Sequence, residues 1–179
     1  NFIDEFFGQH GYVPFLKSPK IYPLLLKHYV TNVVKSRRTV TINIRNHSSL
    51  DLPTVQKNTS HRDSPLDIWY QFLRKAEQSH PDVTFLLLGD IVGAERRFLL
   101  LKNVSVPRLH GLDLGHEISL LLQSDLFMGS SSGFSAVATF SEVNYFITNF
   151  EHVSSHYINL PVGTPHYAFA HEKQVLSWE

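Results

Sequence analysis

Cysteine is absent from the 179 residues. Its absence excludes a disulfide framework, an iron–sulfur or cysteine–zinc site and a thiol nucleophile, and it fits a reducing compartment. Net charge is absent as well: 16 Lys+Arg balance 16 Asp+Glu, and the sequence pI is near 7.4. No basic arm is visible, which removes the general electrostatic case for nucleic acid or an anionic membrane while leaving room for a local basic pocket. No apolar run approaches the roughly 18 residues that span a bilayer. No transmembrane segment is therefore expected, and the chain reads as soluble and cytoplasmic, with the membrane periphery as the alternative. Asn1 is not a start methionine, so a piece of a longer protein is expected. What is present is a 42% hydrophobic composition with 12% aromatics, enough for one domain with a real core.

The pattern along the chain alternates. Residues 1–36 read as an aromatic-rich arm and a helix from Ile21 to about Lys35, packed on the domain that follows. Thr39–Arg45 is a β-branched, alternating strand, and Asn46–Ser64 is a long polar loop of the kind that is usually functional or mobile. Ser64-Pro65 predicts a helix to about Ser79, with Ser64 as N-cap, Pro65 at the first position and Ile68, Trp69, Phe72, Leu73 and Ala76 on one face. Residues 83–89, VTFLLLG, form a continuously apolar run suited to a parallel strand covered on both sides. A short helix near 92–101, a strand Asn103–Pro107, a helix Gly115–Gln123, a strand Asp125–Gly129, a helix Gly133–Ser141 and a strand Asn144–Thr148 follow. This alternation predicts an α/β domain over 37–150, a Rossmann-like, doubly wound and mostly parallel sheet of about five strands. Residues 151–179 lack a period and are expected to wrap over the core.

Sites in such sheets lie outside the carboxyl ends of the strands. The residues there are Arg45-Asn46-His47, Gly89-Asp90, Arg108 with His110, and Gly129 to Gly133. Ser130, Ser131, Ser132 and Gly133 join a strand to a helix, where small residues and exposed N–H groups suit a phosphate. A plain Ser/Gly turn is the alternative. GSSSG also matches the G-x-S-x-G nucleophile elbow with Ser131 as nucleophile, but the short remainder after Gly133 contains no aspartate and too few strands for that layout. No Gly-Lys-Ser/Thr motif occurs, so a P-loop is not indicated. Arg45 would share the rim with the serine turn if their strands are neighbours, and Arg62 in the long loop is a second cation able to close over an anion. Asp51, His61 and Asp63 are candidates for a general base, with no choice among them. Eleven histidines are many, yet they show no converging ligand spacing, so no metal is expected.

TVTINIRN at 39–46, the helix start at 62–69, TFLLLGD at 84–90 and above all SDLFMGSSSGFSAVATFSEVNYFITN at 124–149 carry a resemblance. Together, residues 37–150 resemble the C-terminal nucleotide-sugar-binding domain of GT-B glycosyltransferases, in the flavour of bacterial surface-polysaccharide and fucosyltransferase-like enzymes. The resemblance implies that Arg45 and the turn Ser130 to Gly133 hold a donor diphosphate, and that the loop from Arg108 to Gly111 meets the base. It implies a nucleotide-sugar co-substrate, a glycan acceptor, no metal and a missing N-terminal domain carrying much of the acceptor site. The fucosyltransferase hallmark of paired arginines followed by aspartate is replaced here by Arg45-Asn46-His47, which speaks against a guanosine donor. The expected function is the donor-binding part of a metal-independent glycosyltransferase. A non-catalytic nucleotide-sugar-binding module, a serine hydrolase using Ser131 and a sugar epimerase of the same fold are the alternatives.

Overall fold

The computed structural model describes residues 5, 8–11, 15–19, 21–46, 63–89, 96–148, 166–170 and 174–175, the last two stretches as backbone only. The first helix, α1 (Ile21–Tyr29), buries Leu26 and Tyr29. It widens into a π turn over Val30–Val34 and stops at Lys35, which takes the left-handed conformation with φ 51°. The Lys35 N–H donates to the Val30 carbonyl at 3.1 Å. A left-handed residue is a common way to end a helix, and it places the stop where the apolar spacing runs out.

The strand β1 (Arg38–Asn43) is rich in β-branched residues and buries Val40, Thr41 and Ile42. It ends two residues earlier than the alternation predicts, leaving Ile44, Arg45 and Asn46 as irregular chain at its carboxyl end. The second helix, α2 (Leu66–Ser79), buries Trp69, Leu73 and Ala76, one stripe at helical spacing. Its cap differs from expectation. Pro65 holds the N-cap position with ψ 113° and no side-chain cap hydrogen bond, and the Ser64 hydroxyl is buried without a partner among the described residues. The extended ψ of Pro65 delays the helix by one residue, which leaves Ser64 too early to reach the amides of the first turn.

The remaining elements are β2 (Val83–Leu87), β3 (Val104–Ser105), α3 (Leu114–Gln123), β4 (Leu126–Ser130), α4 (Gly133–Thr139) and β5 (Tyr145–Thr148). The helix expected near 92–101 is a 3-10 turn over Arg96–Leu100 in its described part. A second 3-10 turn, Pro107–His110, cuts β3 to two residues, because a proline has no N–H to continue a ladder. Strands β1 to β5 form the expected parallel sheet, and two strands from the tail extend it. β6 (His166–Ala170) pairs parallel with β5, and β7 (Gln174–Val175) pairs antiparallel with β6.

The strand order is β3-β2-β1-β4-β5-β6-β7. The chain builds outward from β1 to β3, then crosses back to place β4 on the other side of β1. Helices cover both faces. On one, α1, α3 and α4 contribute Leu26, Tyr29, Leu120, Leu121 and Ala138 to a core with Leu86, Phe127, Tyr145 and Ile147. On the other, Trp69, Leu73 and Ala76 of α2 pack with Phe98 on Val40, Ile42, Phe85 and Leu87. The alternation of Phe85 and Leu87 with Leu86 between the two cores is what a two-sided strand requires, and it explains the unbroken apolar run. This is a doubly wound α/β fold whose direction reverses between β1 and β4. Among the described residues, no helix is long and apolar enough to cross a membrane.

Candidate functional site at the carboxyl ends of the strands

Because β1 and β4 are hydrogen-bonded neighbours with Asn43 opposite Gly129, their carboxyl ends open onto one rim at the point where the sheet reverses. That is where ligands of open α/β sheets bind. Gly129 allows the strands to approach: a Cβ there would lie 2.7 Å from the Asn43 carbonyl oxygen. Arg45 and the serine turn, distant in sequence, are thereby brought to the same edge.

Arg45 is not a lone surface cation. Its Nε donates to Asp63 Oδ1 at 3.3 Å, and the two side chains are 13% and 10% exposed. The Ser64 N–H also donates to the Arg45 carbonyl at 2.8 Å, so Arg45 is tied to residues 63 and 64 by both its side chain and its backbone. Asp63, a candidate base in the sequence, is engaged by the arginine meant to hold the anion. Asn46 lies beside Arg45, half-buried. The remaining candidates of this loop, His47, Asp51, His61 and Arg62, lie outside the described residues, as does Asp90.

The serine turn divides its labour. Ser132 is the N-cap of α4: its Oγ accepts from the Ser135 N–H at 3.3 Å, while Ser135 Oγ accepts from the Ser132 N–H at 2.8 Å. The reciprocal pair is a capping box, with serine in place of the usual Glu or Gln at the third helical position. Ser130 is fully buried and its hydroxyl has no partner among the described residues. The three serines therefore differ: Ser130 is shut in, Ser132 is committed to the helix, and Ser131 is the half-buried one left. Among the described residues two amides remain, those of Gly133 and Phe134, which precede the first intrahelical bond, from the Ala136 N–H to the Ser132 carbonyl at 3.2 Å. Ser131 has no positive φ, so the strained turn of a nucleophile elbow is not formed.

A second corner lies across β1 from the serine turn. Gly89, just past β2, has φ +100°, and a Cβ there would come 2.8 Å from Asn43 Nδ2. Its N–H donates to Glu117 Oε1 at 3.0 Å. Glu117 Oε2 accepts from Arg108 Nε at 3.0 Å and Nη2 at 2.9 Å. Arg108, expected to meet a base, is thus first of all the counter-ion of a carboxylate with no exposure at all. His110 is exposed, its ring 5.4 Å from that of Tyr29. The Tyr29 hydroxyl bonds Ser105 Oγ at 3.0 Å, and burial, aided by the Glu117 charge, pushes its pKa up against that bond.

Glu117 and Ser135 did not figure among the sequence candidates, although each leaves a trace there. Glu117 stands three and four residues before Leu120 and Leu121, a charge in the apolar stripe of α3. Ser132-x-x-Ser135 has the spacing of a capping box. Among the described residues, no group of three or more His, Asp or Glu side chains is arranged to hold a metal ion. No family model, no curated protein and no solved structure matches the chain.

Proposed function

We propose that the rim between β1 and β4 binds the diphosphate of a nucleotide sugar, and that the chain is the donor-binding part of a glycosyltransferase acting on a glycan. The observation that carries this reading is the reversal of the sheet between β1 and β4, which puts Arg45 and the Ser131–Phe134 turn on one edge. The two free amides at the start of α4 supply donors and the arginine supplies charge. The likeness of residues 124–149 to GT-B donor domains supports the choice of a nucleotide sugar over other anions.

In this reading the site acts by electrostatic preorganisation. Negative charge grows on the diphosphate as the glycosidic bond breaks, so donors fixed in place stabilise the transition state more than the ground state. Asp63 then serves to orient Arg45, and the base that takes the acceptor proton is another group. The test is a ligand-observed NMR screen of the chain against UDP, GDP, ADP, dTDP and CMP, with and without EDTA. One nucleoside diphosphate binding in both conditions is the expected outcome and identifies the base. Silence from a folded sample, or fluorophosphonate labelling of Ser131, would overturn the proposal.

A further inference from the structure

We propose that residues 15–19 form a strap, anchored by the positioning residue Ser119, that sets the position of α4, so that the attached strap and a diphosphate at the serine turn favour one another. The proposal rests on the diphosphate reading above. Its starting point is a polar residue in an apolar place: Ser119 has no exposure and stands between Ile118 and Leu120 in α3. A buried hydroxyl is costly unless it is met. Among the described residues, the Ser119 Oγ meets only the Oγ of Ser18, at 2.5 Å.

Two residues before Ser18, the Leu16 N–H donates to the Phe140 carbonyl at 2.7 Å, at the carboxyl end of α4. The strap therefore bridges α3 and α4. It then hands the chain to α1, where the Tyr22 N–H donates to the Pro19 carbonyl at 3.1 Å. Phe15, Leu16, Lys17 and Pro19 are exposed, Leu16 by 48%, so hydrogen bonds rather than apolar burial carry the attachment. Segments held in that way open locally at far lower cost than the whole fold.

α4 is where such a bond has leverage. The helix is seven residues long, and its buried side chains are Ser135, Ala138 and Thr139, all of them small. Small side chains remove little apolar area from water, so packing alone fixes the axis of this helix weakly. The strap ties its carboxyl end to α3, while its other end carries the Gly133 and Phe134 amides. At 1.5 Å per residue those ends lie about 10 Å apart, so a diphosphate at the turn acts on the strap through the helix and not by contact. By linkage, the factor by which release of the strap weakens the diphosphate is the factor by which bound diphosphate holds the strap down.

The test is amide hydrogen exchange of Leu16, read by NMR on the full chain, with and without inorganic pyrophosphate, UDP, GDP, ADP or dTDP, for wild type, Ser119→Ala and Ala76→Gly. Ser119→Ala removes the anchor on α3 while keeping a good helix former, and it is expected to speed Leu16 exchange in the free protein by about threefold to tenfold and to weaken the diphosphate. Should it fail to fold, Ser18→Ala removes the same bond from the strap side. In wild type, saturation with a diphosphate that binds is expected to slow Leu16 exchange by at least about threefold. Ala76→Gly loosens α2 on the opposite face of the sheet, and is expected to lower global stability with Leu16 exchange and diphosphate affinity unchanged. Leu16 exchange that ignores a bound diphosphate, that is unchanged in Ser119→Ala, or that rises as much in Ala76→Gly overturns the proposal. Folded wild type that binds none of the five probes overturns the diphosphate reading and the coupling with it, and is told apart by Ser119→Ala still speeding Leu16 exchange.

Discussion

Arg45 Nε and Asp63 Oδ1 meet at 3.3 Å with both side chains largely buried, joining the carboxyl end of β1 to the approach of α2. The contact makes neighbours of two residues 18 positions apart in the sequence. It also puts a cation on the rim beside the serine turn, at the place where the sheet reverses.

Charge-assisted hydrogen bonds between such groups contribute about 1.5–3 kcal/mol. Asp63→Ala is accordingly expected to lower the urea midpoint by an amount equivalent to about 1.5–3 kcal/mol, and Arg45→Ala by a similar amount. The double variant is expected to lose clearly less than the sum, since each single change already removes the pair. Additive losses would show that the two residues are not coupled.

The serine turn predicts opposite effects from two adjacent-looking changes. Ser132→Ala removes the cap of α4 and is expected to cost about 0.5–2 kcal/mol. Ser130→Ala removes a buried hydroxyl that bonds to nothing among the described residues, and is expected to be neutral or to stabilise the ligand-free protein by up to about 1 kcal/mol. Thermal melts of the two variants decide it. A large loss from Ser130→Ala would mean that the hydroxyl does have a partner.

Lys35 carries the one positive φ found outside glycine among the described residues, at the end of the π turn. The left-handed conformation costs a side chain about 1–2 kcal/mol, part of which glycine gives back as unfolded-state entropy. Lys35→Gly is therefore expected to stabilise the chain by about 0.5–1 kcal/mol in chemical denaturation. Destabilisation would mean that the lysine side chain makes a contribution of its own.

Asp113 caps α3, and the His116 backbone N–H, then the His116 side chain, hold its carboxyl below the usual aspartate value. With the folded value depressed, the native state binds fewer protons than the unfolded chain, so this contribution is present above the unfolded value near 3.9 and fades as pH falls through the folded one. Asp113→Asn keeps a capping oxygen but cannot titrate. Its stability profile is expected to be flatter than that of wild type below about pH 4. Parallel profiles would contradict the assignment.

Local patterns carried much of the fold. The β-branched run of β1, the apolar run of β2 and the serine turn before α4 each declare their element, and their alternation implies a two-sided parallel sheet. The reversal between β1 and β4 is not written in any segment, because strand order depends on which helices cover which face. Ser64 shows how a one-residue shift at Pro65 undoes a sound capping pattern. β6 escaped notice because HYAFA carries no β-branched run, although the Gly163-Thr164-Pro165 sequence before it is a turn signal. Arg45 and the serine turn were legible as candidates from their place after strands. Glu117 was not, since its partners Gly89 and Arg108 come from two different loops and only the folded chain assembles them.

The central claim is that Arg45 and the amides beside the serine turn hold a diphosphate. It is tested most directly by calorimetric titration of wild type and Arg45→Ala with the nucleoside diphosphate panel in EDTA. One diphosphate is expected to bind wild type and to lose about 1.5–3 kcal/mol of affinity in Arg45→Ala. An unchanged affinity in a folded variant, or no binding to folded wild type, would contradict it.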